Sequence, residues 1–232
     1  MIAPVALSAG IAAATGLWGA YDPNSPVYGP VIGRGPKERI AYLTFDDGPN
    51  PGVTEWILRI LRREGVPATF FMTGSHVERY PHTALAVVRA GYEIGNHTYS
   101  HTKLHRLGAA RVIEEISRAH HAILRVTGWE PTSFRAPHGY RGPFVAPAVA
   151  AYGYQVFGWT FGVRDSDCPG VQHIRWRTRA RLRPGSIILL HDGDGYRLNG
   201  NRWQTAAALP DIIRDARGEG YRFEPLSRLI AV

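Results

Sequence analysis

Short apolar runs alternate with amphipathic stretches from Arg39 to the C-terminus, and this alternation narrows the possible folds more than any other feature. Ile40–Phe45 is an apolar run that ends in the turn-rich DDGPNPG, and Val53–Arg63 then carries apolar residues at helical spacing. A strand followed by a helix, repeated along the chain, predicts an α/β fold. The same criteria predict strands at Pro67–Thr73, Tyr92–Ile94, Ser133–Arg135, Gln155–Thr160, Ser186–Leu190 and Tyr221–Leu226, and helices at Thr83–Ala90, Ala109–Val126 and Gln204–Arg217.

The N-terminal residues 1–38 differ in composition from the rest of the chain. Ile2–Ala20 is almost wholly apolar, and Tyr21–Pro36 is rich in proline and glycine. An export signal or a single membrane anchor is one interpretation, with Ala12–Ala14 as a cleavage region, although no Lys or Arg precedes the apolar run. A buried N-terminal helix or a misassigned start site is the alternative. We therefore divide the chain into this segment and one domain over residues 39–232.

Charge and cysteine content restrict the partners and the kind of site. The 27 Lys and Arg residues exceed the 19 Asp and Glu residues and give a net charge of +8 with histidine neutral, which attracts anionic polymers and surfaces. The basic residues are scattered and follow no nucleic-acid-binding motif, so nucleic acid is not an expected partner. Cys168 is the single cysteine, so a metal site must use histidine and carboxylate ligands. The cell envelope or secretion is the favoured location, although a chain without disulfides is also compatible with the cytoplasm.

Most residues with catalytic side chains share one location in the predicted fold, at the end of an apolar strand or directly after it. In a parallel α/β barrel the C-terminal ends of the strands meet at one rim, and such folds hold their active sites there. We therefore expect one site that contains Asp46, Asp47, His97, His101, Arg135, Asp165, His191 and Asp192.

Two pairs of residues could bind a metal. Asp46 and Asp47 are adjacent carboxylates whose repulsion is costly unless a cation or proton lies beside them, so one could bind metal while the other acts as a base. An ordinary Asp-Asp-Gly-Pro turn is the alternative. His97 and His101 have the four-residue spacing of one helical turn, which suits chelation, and two unrelated surface histidines are the alternative. Two histidines and one carboxylate leave a coordination position open for water.

Two further residues suit acid–base and positioning roles. His191 ends a buried strand and titrates near neutral pH, which suits a general acid. Arg135, at the end of another strand, could hold a carboxylate in one geometry. A rim hydrogen bond for His191 and a surface salt bridge for Arg135 are the alternatives. Five other histidines lack such a context and are interpreted as structural or solvent-facing: His76, His82, His120, His121 and His173.

Five motifs, in their order and spacing, resemble those of the polysaccharide deacetylase family, also called the NodB-homology family or carbohydrate esterase family four. They are TFDDGP at 44–49, HTYSH at 97–101, RAPHG at 135–139, a Trp-to-Asp segment at 159–165 and LLHD at 189–192. The resemblance covers about Arg39 to the C-terminus. It implies a distorted, TIM-like (β/α) barrel of seven to eight parallel strands, and the hydrolysis of an acetamide or, less often, an acetate ester on a sugar. It also implies a divalent metal, with Zn²⁺ the expected ion.

The resemblance assigns a role to each matching residue. Asp46 would accept a proton from water while Arg135 positions its carboxylate. His191 would then protonate the departing amine, and Asp165 would hold the His191 ring in its cationic form. The expected metal ligands are Asp47, His97 and His101.

Three residues are expected to contact the substrate. Leu190 would line a pocket for the acetyl methyl group, the backbone N–H of His138 would stabilise the oxyanion, and Trp159 would offer an aromatic face to a sugar ring. Two positions depart from the family pattern: His138 stands where Tyr or Phe is frequent, and Ser166 where Trp is frequent. Asp167 competes with Asp165 for the role in the fourth motif.

The expected substrate is a polysaccharide that contains N-acetylglucosamine, such as peptidoglycan or a chitin-like oligomer. Three other readings stay open at this point: an esterase that removes O-acetyl groups from polysaccharide, a deformylase of a lipid-linked amino sugar, and a catalytically silent homologue that binds glycans. Membrane association through the N-terminal segment is a further expectation, and the oligomeric state is open.

Overall fold

A curved parallel sheet wrapped by helices forms the body of the protein. The computed structural model describes residues 14–230, and α1 (residues 14–21) begins this part of the chain. The strands are β1 (Ile40–Gly48), β2 (Ala68–Met72), β3 (Glu93–Asn96), β4 (Ser133–Phe134), β5 (Gln155–Val156), β6 (Phe161–Gly162), β7 (Ser186–His191) and β8 (Arg222–Phe223). The other α-helices are α2 (Val53–Glu64), α3 (Gly74–Arg79), α4 (Pro81–Arg89), α5 (Ala109–Thr127), α6 (Val145–Ala150), α7 (Val171–Arg181) and α8 (Trp203–Gly218).

The strands lie in the order β5-β4-β3-β2-β1-β7-β6, and β8 pairs with the start of β1. All of these pairings are parallel. The sheet curls so that its C-terminal strand ends meet at one rim. This arrangement confirms the predicted distorted α/β barrel.

The segment Gln155–Thr160 is not the single strand that the sequence predicted. β5 lies at one edge of the sheet and β6 at the other, and the residues between them cross the gap. The Phe157 N–H donates to the Phe134 carbonyl at 2.8 Å, and the Thr160 N–H donates to the Ile187 carbonyl at 2.9 Å. A strand prediction from local pattern misses this crossing because an apolar segment looks the same whichever strand it pairs with.

Alternate residues of each strand face opposite sides of the sheet, as the two-residue period requires. Leu43 and Phe45 of β1 belong to the core between sheet and helices, whereas Tyr42 belongs to the core inside the barrel. Thr44 and Asp46, the next inner positions, are buried and polar. The inner face of β1 therefore changes from apolar to polar as the strand approaches the rim.

Helix α5 forms where its apolar spacing predicted it. Ile113 is one of the apolar residues at this spacing, yet it is 53% exposed. Val112 and Ile116 are fully buried, and Glu115 is only 3% exposed. Helical periodicity explains this difference, because Glu115 lies three residues after Val112 and so on the same face.

Much of the N-terminal segment packs against the barrel. The Ile32 N–H donates to the Val156 carbonyl at 2.9 Å, and Asn24 Nδ2 donates to the Trp159 carbonyl at 3.0 Å. On α1, Leu17 is 61% exposed and Trp18 is 50% exposed. Residues 1–13, which carry most of the predicted signal or anchor, lie outside the described residues. The domain boundary at residue 38 stays a prediction.

None of the helices within residues 14–230 has the length and apolar character needed to cross a membrane.

Candidate active site

Two adjacent carboxylates at the end of β1 point into the same cavity. Successive strand residues normally point to opposite faces, so Asp46 and Asp47 should diverge. The pairing of β1 with β2 shifts between Asp46 and Gly48, and Asp47 has a φ angle of 74°. This register shift is a β-bulge, in which one strand carries an extra residue. A bulge bends the strand and redirects a side chain. Both carboxylates are buried and line the same cavity.

Asp47, His97 and His101 form a cluster that fits a divalent metal, because their ligand atoms all lie within 4.8 Å of one another. The Nε2 atoms of His97 and His101 lie 3.3 and 3.0 Å from Asp47 Oδ1. That oxygen is buried and has no hydrogen-bond partner among the described residues. A buried polar atom without a partner is costly, and a bound cation would satisfy it.

The tautomer of His97 supports the same conclusion. His97 Nδ1 lies 2.8 Å from the Arg135 carbonyl, which can only accept a hydrogen bond. Nδ1 therefore carries the proton, and the lone pair of Nε2 faces the Asp47 carboxylate. Two acceptors that face each other repel unless a cation lies between them.

The histidine pair does not sit on a helical turn, which corrects the reasoning from its spacing. Residues 97–101 form an irregular loop after β3, with φ angles of 66° at Thr98 and 56° at His101. The two rings nevertheless approach to 5.2 Å between centroids. Their convergence comes from the shape of this loop rather than from helical periodicity.

Arg135 is fully buried and holds Asp46 in place. Its Nη1 donates to Asp46 Oδ1 at 2.7 Å and to Thr44 Oγ1 at 2.8 Å, while Nη2 donates to the Gly158 carbonyl at 2.8 Å. The guanidinium carbon also lies 4.2 Å from the centre of the Phe71 ring. The exposed salt bridge that was the alternative for Arg135 is excluded by this burial. Asp46 Oδ2 therefore makes no hydrogen bond with the guanidinium.

His191 and Asp165 form a second charged pair at the site, on the strand next to β1 and the turn after β6. His191 Nδ1 lies 2.8 Å from Asp165 Oδ1, and the His191 backbone N–H donates to Asp165 Oδ2 at 2.7 Å. Thr205 Oγ1 donates to that same oxygen at 2.8 Å. Burial by itself lowers the pKa of His191, but Asp165 outweighs it and raises the pKa to about 9. Asp167, the competing candidate, is exposed.

Asp46, His191 and the three residues of the metal cluster line one open cavity of about 300 Å³, and Arg135 and Asp165 lie behind the first two. His138, Trp159 and Ser166 also line it, so both positions that depart from the family pattern face the substrate space. Leu190 does not line it, which corrects the prediction: its side chain is fully buried between sheet and helices, and Leu189 lines the cavity instead. The two-residue period of β7 gives the reason, because His191 and Leu189 share a face.

The loop after β7 brings further residues to the cavity: Tyr196, which the sequence offered as one of several aromatic candidates for a sugar contact, and Asp194, which it did not indicate. Tyr196 Oη lies 2.6 Å from His138 Nε2, and both rings stand edge-on to His101 at 4.8 and 4.9 Å. Asp194 accepts hydrogen bonds from the Tyr196 N–H at 3.1 Å and from Arg202 Nη2 at 3.3 Å, which shapes this loop. The Asp-Gly-Asp-Gly turn was the only local signal for it.

Two buried residues support the cluster from behind. His76 was placed among the structural or solvent-facing histidines, and it is buried with Nδ1 3.1 Å from the Asp47 carbonyl oxygen. Asp192 is fully buried and accepts a hydrogen bond from Thr54 Oγ1 at 2.6 Å. Burial raises the pKa of Asp192 to about 7. The sequence held no signal for the His76 contact, because residues 47 and 76 meet only through the pairing of β1 and β2.

Comparisons with known proteins agree with this geometry. A family model described as polysaccharide deacetylase matches residues 33–157, more than half of the chain. A chitooligosaccharide deacetylase of Bradyrhizobium sp. (strain ANU 289) is 37% identical over 209 residues, which cover 87% of this chain and 94% of that protein. The crystal structure of a peptidoglycan N-acetylglucosamine deacetylase is 27% identical with a TM-score of 0.81, covering 86% of this chain and 92% of the other.

A third comparison shows why the side chains matter as much as the fold. A carbohydrate esterase family four pseudoenzyme of Bacillus anthracis is 25% identical with a TM-score of 0.78, covering 85% of this chain and 68% of the other. A shared barrel therefore does not by itself establish activity. In this chain the matched family model, the 37% identity to a deacetylase and the convergence of the predicted site residues on one cavity agree. The chain belongs to the polysaccharide deacetylase family and is a hydrolase of that family.

Proposed function

We propose that this protein removes N-acetyl groups from a polysaccharide that contains N-acetylglucosamine, with Zn²⁺ bound by Asp47, His97 and His101. The observation that carries this proposal is the convergence of three units on one cavity: the Asp-His-His cluster, the Arg135–Asp46 pair and the Asp165–His191 pair. Hydrolysis of an amide needs a base for water, charge at the oxyanion and an acid for the amine.

The ligand set supports zinc over magnesium or calcium. Two imidazole nitrogens and one carboxylate oxygen match the ligands that catalytic zinc takes, whereas magnesium and calcium prefer oxygen ligands alone. When bound, the ion supplies positive charge that polarises a carbonyl and lowers the pKa of water.

Asp46 is the proposed base. Arg135 donates a hydrogen bond to Asp46 Oδ1. The other oxygen, Asp46 Oδ2, lies 3.8 Å from His97 Nε2, next to the proposed metal position. Oδ2 can therefore accept a proton from water at that position. Arg135 acts on the reaction through Asp46, because the side chain is buried, does not line the cavity and donates from its Nη groups to Asp46, Thr44 and Gly158.

His191 is the proposed acid. Its Nδ1 faces Asp165, so the proton on Nε2 is available to the cavity. An amine leaves poorly as an anion, and a proton from Nε2 makes it a neutral leaving group. The backbone N–H of His138 is the proposed donor to the oxyanion, Leu189 replaces Leu190 as the proposed contact for the acetyl methyl group, and Trp159 is a proposed sugar contact.

The names of the relatives support an N-acetylglucosamine polymer as the substrate, since one acts on chitooligosaccharide and another on peptidoglycan. The net charge of +8 favours an anionic envelope polymer, because opposite charge raises the local concentration of such a substrate. Peptidoglycan is therefore the first polymer to test.

Acetate release tests this proposal. Purified protein is incubated with N-acetylglucosamine oligomers, with peptidoglycan and with O-acetylated xylan, before chelation, after chelation and after zinc is added back. We expect acetate from the N-acetylated substrates, its loss on chelation and its recovery with zinc. Release from xylan alone would favour the O-acetyl esterase reading. No acetate under any condition would favour a silent glycan-binding protein.

A further inference from the structure

The loop between the two histidines of the metal cluster has an unfavourable backbone conformation. Thr98 and His101 have φ angles of 66° and 56°, in the left-handed region. A β-branched residue such as Thr98 rarely adopts this region, because its side chain collides with its own backbone. Such a conformation costs free energy and persists only when the surrounding structure holds it. The loop therefore depends on contacts from outside itself.

Three of these contacts are hydrogen bonds with Asn96, Gly74 and Ser75. Asn96 Oδ1 accepts a hydrogen bond from the Thr98 N–H at 2.9 Å. The carbonyl oxygens of Thr98 and Tyr99 accept hydrogen bonds from the N–H groups of Gly74 and Ser75, each at 2.9 Å. These bonds fix the first half of the loop. They leave the N–H groups of Tyr99 and Ser100, directly before His101, to be satisfied elsewhere.

Glu115 of α5 satisfies both of them. Its Oε2 accepts hydrogen bonds from the Tyr99 N–H at 3.1 Å and the Ser100 N–H at 2.8 Å, and Oε1 accepts one from Ser100 Oγ at 2.7 Å. Glu115 is 3% exposed and forms no ion pair with the described residues of the chain. Burying a carboxylate without a cationic partner costs free energy, so the hydrogen bonds that it accepts from the loop must offset that cost.

We propose that Glu115 is a positioning residue of the metal centre, which holds the 97–101 loop so that both Nε2 atoms converge on Asp47 before the ion binds. This inference rests on the metal site of the proposed function. Ligands that are already in place bind an ion without first ordering the loop, so the contacts that orient them contribute to affinity. Glu115 does not line the cavity, and it contacts Tyr99 and Ser100 rather than a proposed metal ligand, so it acts through the loop alone.

The test is the zinc affinity of the full chain, measured by competition with a chromophoric chelator. The variants are Glu115→Ala and Glu115→Gln, with Glu114→Gln as the matched control, because Glu114 is the adjacent and more exposed residue on α5. We expect the Kd for zinc to rise about 10-fold to 100-fold in E115A. In E115Q it should rise about threefold to tenfold, since hydrogen bonds to a charged acceptor are about twice as strong as neutral ones. E114Q should match the wild type.

Circular dichroism in excess chelator separates this role from a general loss of folding. Metal-free E115Q should retain the wild-type spectrum, and saturating zinc should restore its acetate release. Zinc affinities within twofold of the wild type in the folded variants would overturn the inference. If E115A does not fold, E115Q decides by the same criterion. A wild type that binds zinc but releases no acetate contradicts the proposed function instead, so the two failures are distinguishable.

Discussion

The substitution Asp165→Asn tests how this protein keeps a histidine protonated at neutral and alkaline pH. Asp165 is fully buried, and its Oδ1 lies 2.8 Å from His191 Nδ1. The negative charge raises the pKa of His191 to about 9 against the opposing effect of burial. An asparagine keeps the size of the side chain and removes the charge, so the pKa of His191 should fall to its ordinary value of about 6.5 or lower.

The size of the effect follows from this shift. With a pKa of about 9, roughly nine-tenths of His191 is protonated at pH 8, and with a pKa of about 6.5 only about 3% is. Loss of the acid should therefore lower the acetate release of D165N by about 30-fold at pH 8, compared with less than twofold at pH 6. The sign is fixed because a general acid works in its protonated form, which disappears as pH rises through its pKa.

The assay is the rate of acetate release from an N-acetylglucosamine oligomer between pH 5.5 and pH 9.5, with zinc held constant. Asp167→Asn is the matched control, since Asp167 lies in the same turn but is exposed. We expect the alkaline limb of the profile to move to lower pH in D165N and to stay in place in D167N. A deficit of the same size at every pH would refute the electrostatic argument and leave only a loss of local packing.

Four further substitutions test the remaining parts of the site. Asp46→Asn should lower acetate release by about 10²-fold to 10⁴-fold, as expected for a lost base, while the zinc affinity stays within a few-fold of the wild type; a parallel loss of zinc would instead make Asp46 a ligand. Arg135→Ala leaves a buried carboxylate without its partner and should lower the free energy of unfolding in urea by about 3–5 kcal/mol, and an unchanged denaturation midpoint would contradict this. Leu190→Ala should cost about 2–5 kcal/mol of stability with little change in KM, whereas Leu189→Ala should raise KM with less effect on stability, and the opposite pattern would return the acetyl pocket to Leu190.

The sequence was sufficient to locate most of the elements that carry the site. The apolar runs at β1 and β7 and the helical spacing of α5 predicted those elements within a few residues. α7 was not predicted, because only Ile174 and Thr178 of this helix are buried and no apolar stripe marks it. The two-residue strands β5 and β6 carry too little pattern for their pairing to be inferred.

The directions in which the side chains point were harder to predict from the sequence. Asp47 faces the cavity only because β1 has an extra residue at that point, and no composition rule indicates a bulge there. The choice between Leu189 and Leu190 depended on the register of β7, where a shift of one residue exchanges the two faces of the strand. Glu115 did carry a signal, a charged residue at an apolar helical position, but its partners in the 97–101 loop are defined only by the fold.

The sequence by itself determined that an α/β barrel forms and that the candidate site residues follow its strands, because strand and helix periods are local properties of the chain. The tertiary structure decided which of them meet. Arg135 reaches Asp46 across 89 residues, and His191 meets Asp165 across 26. These contacts depend on the order and curvature of the whole sheet, so the proposed acid, base and metal ligands come together only after the strands have paired.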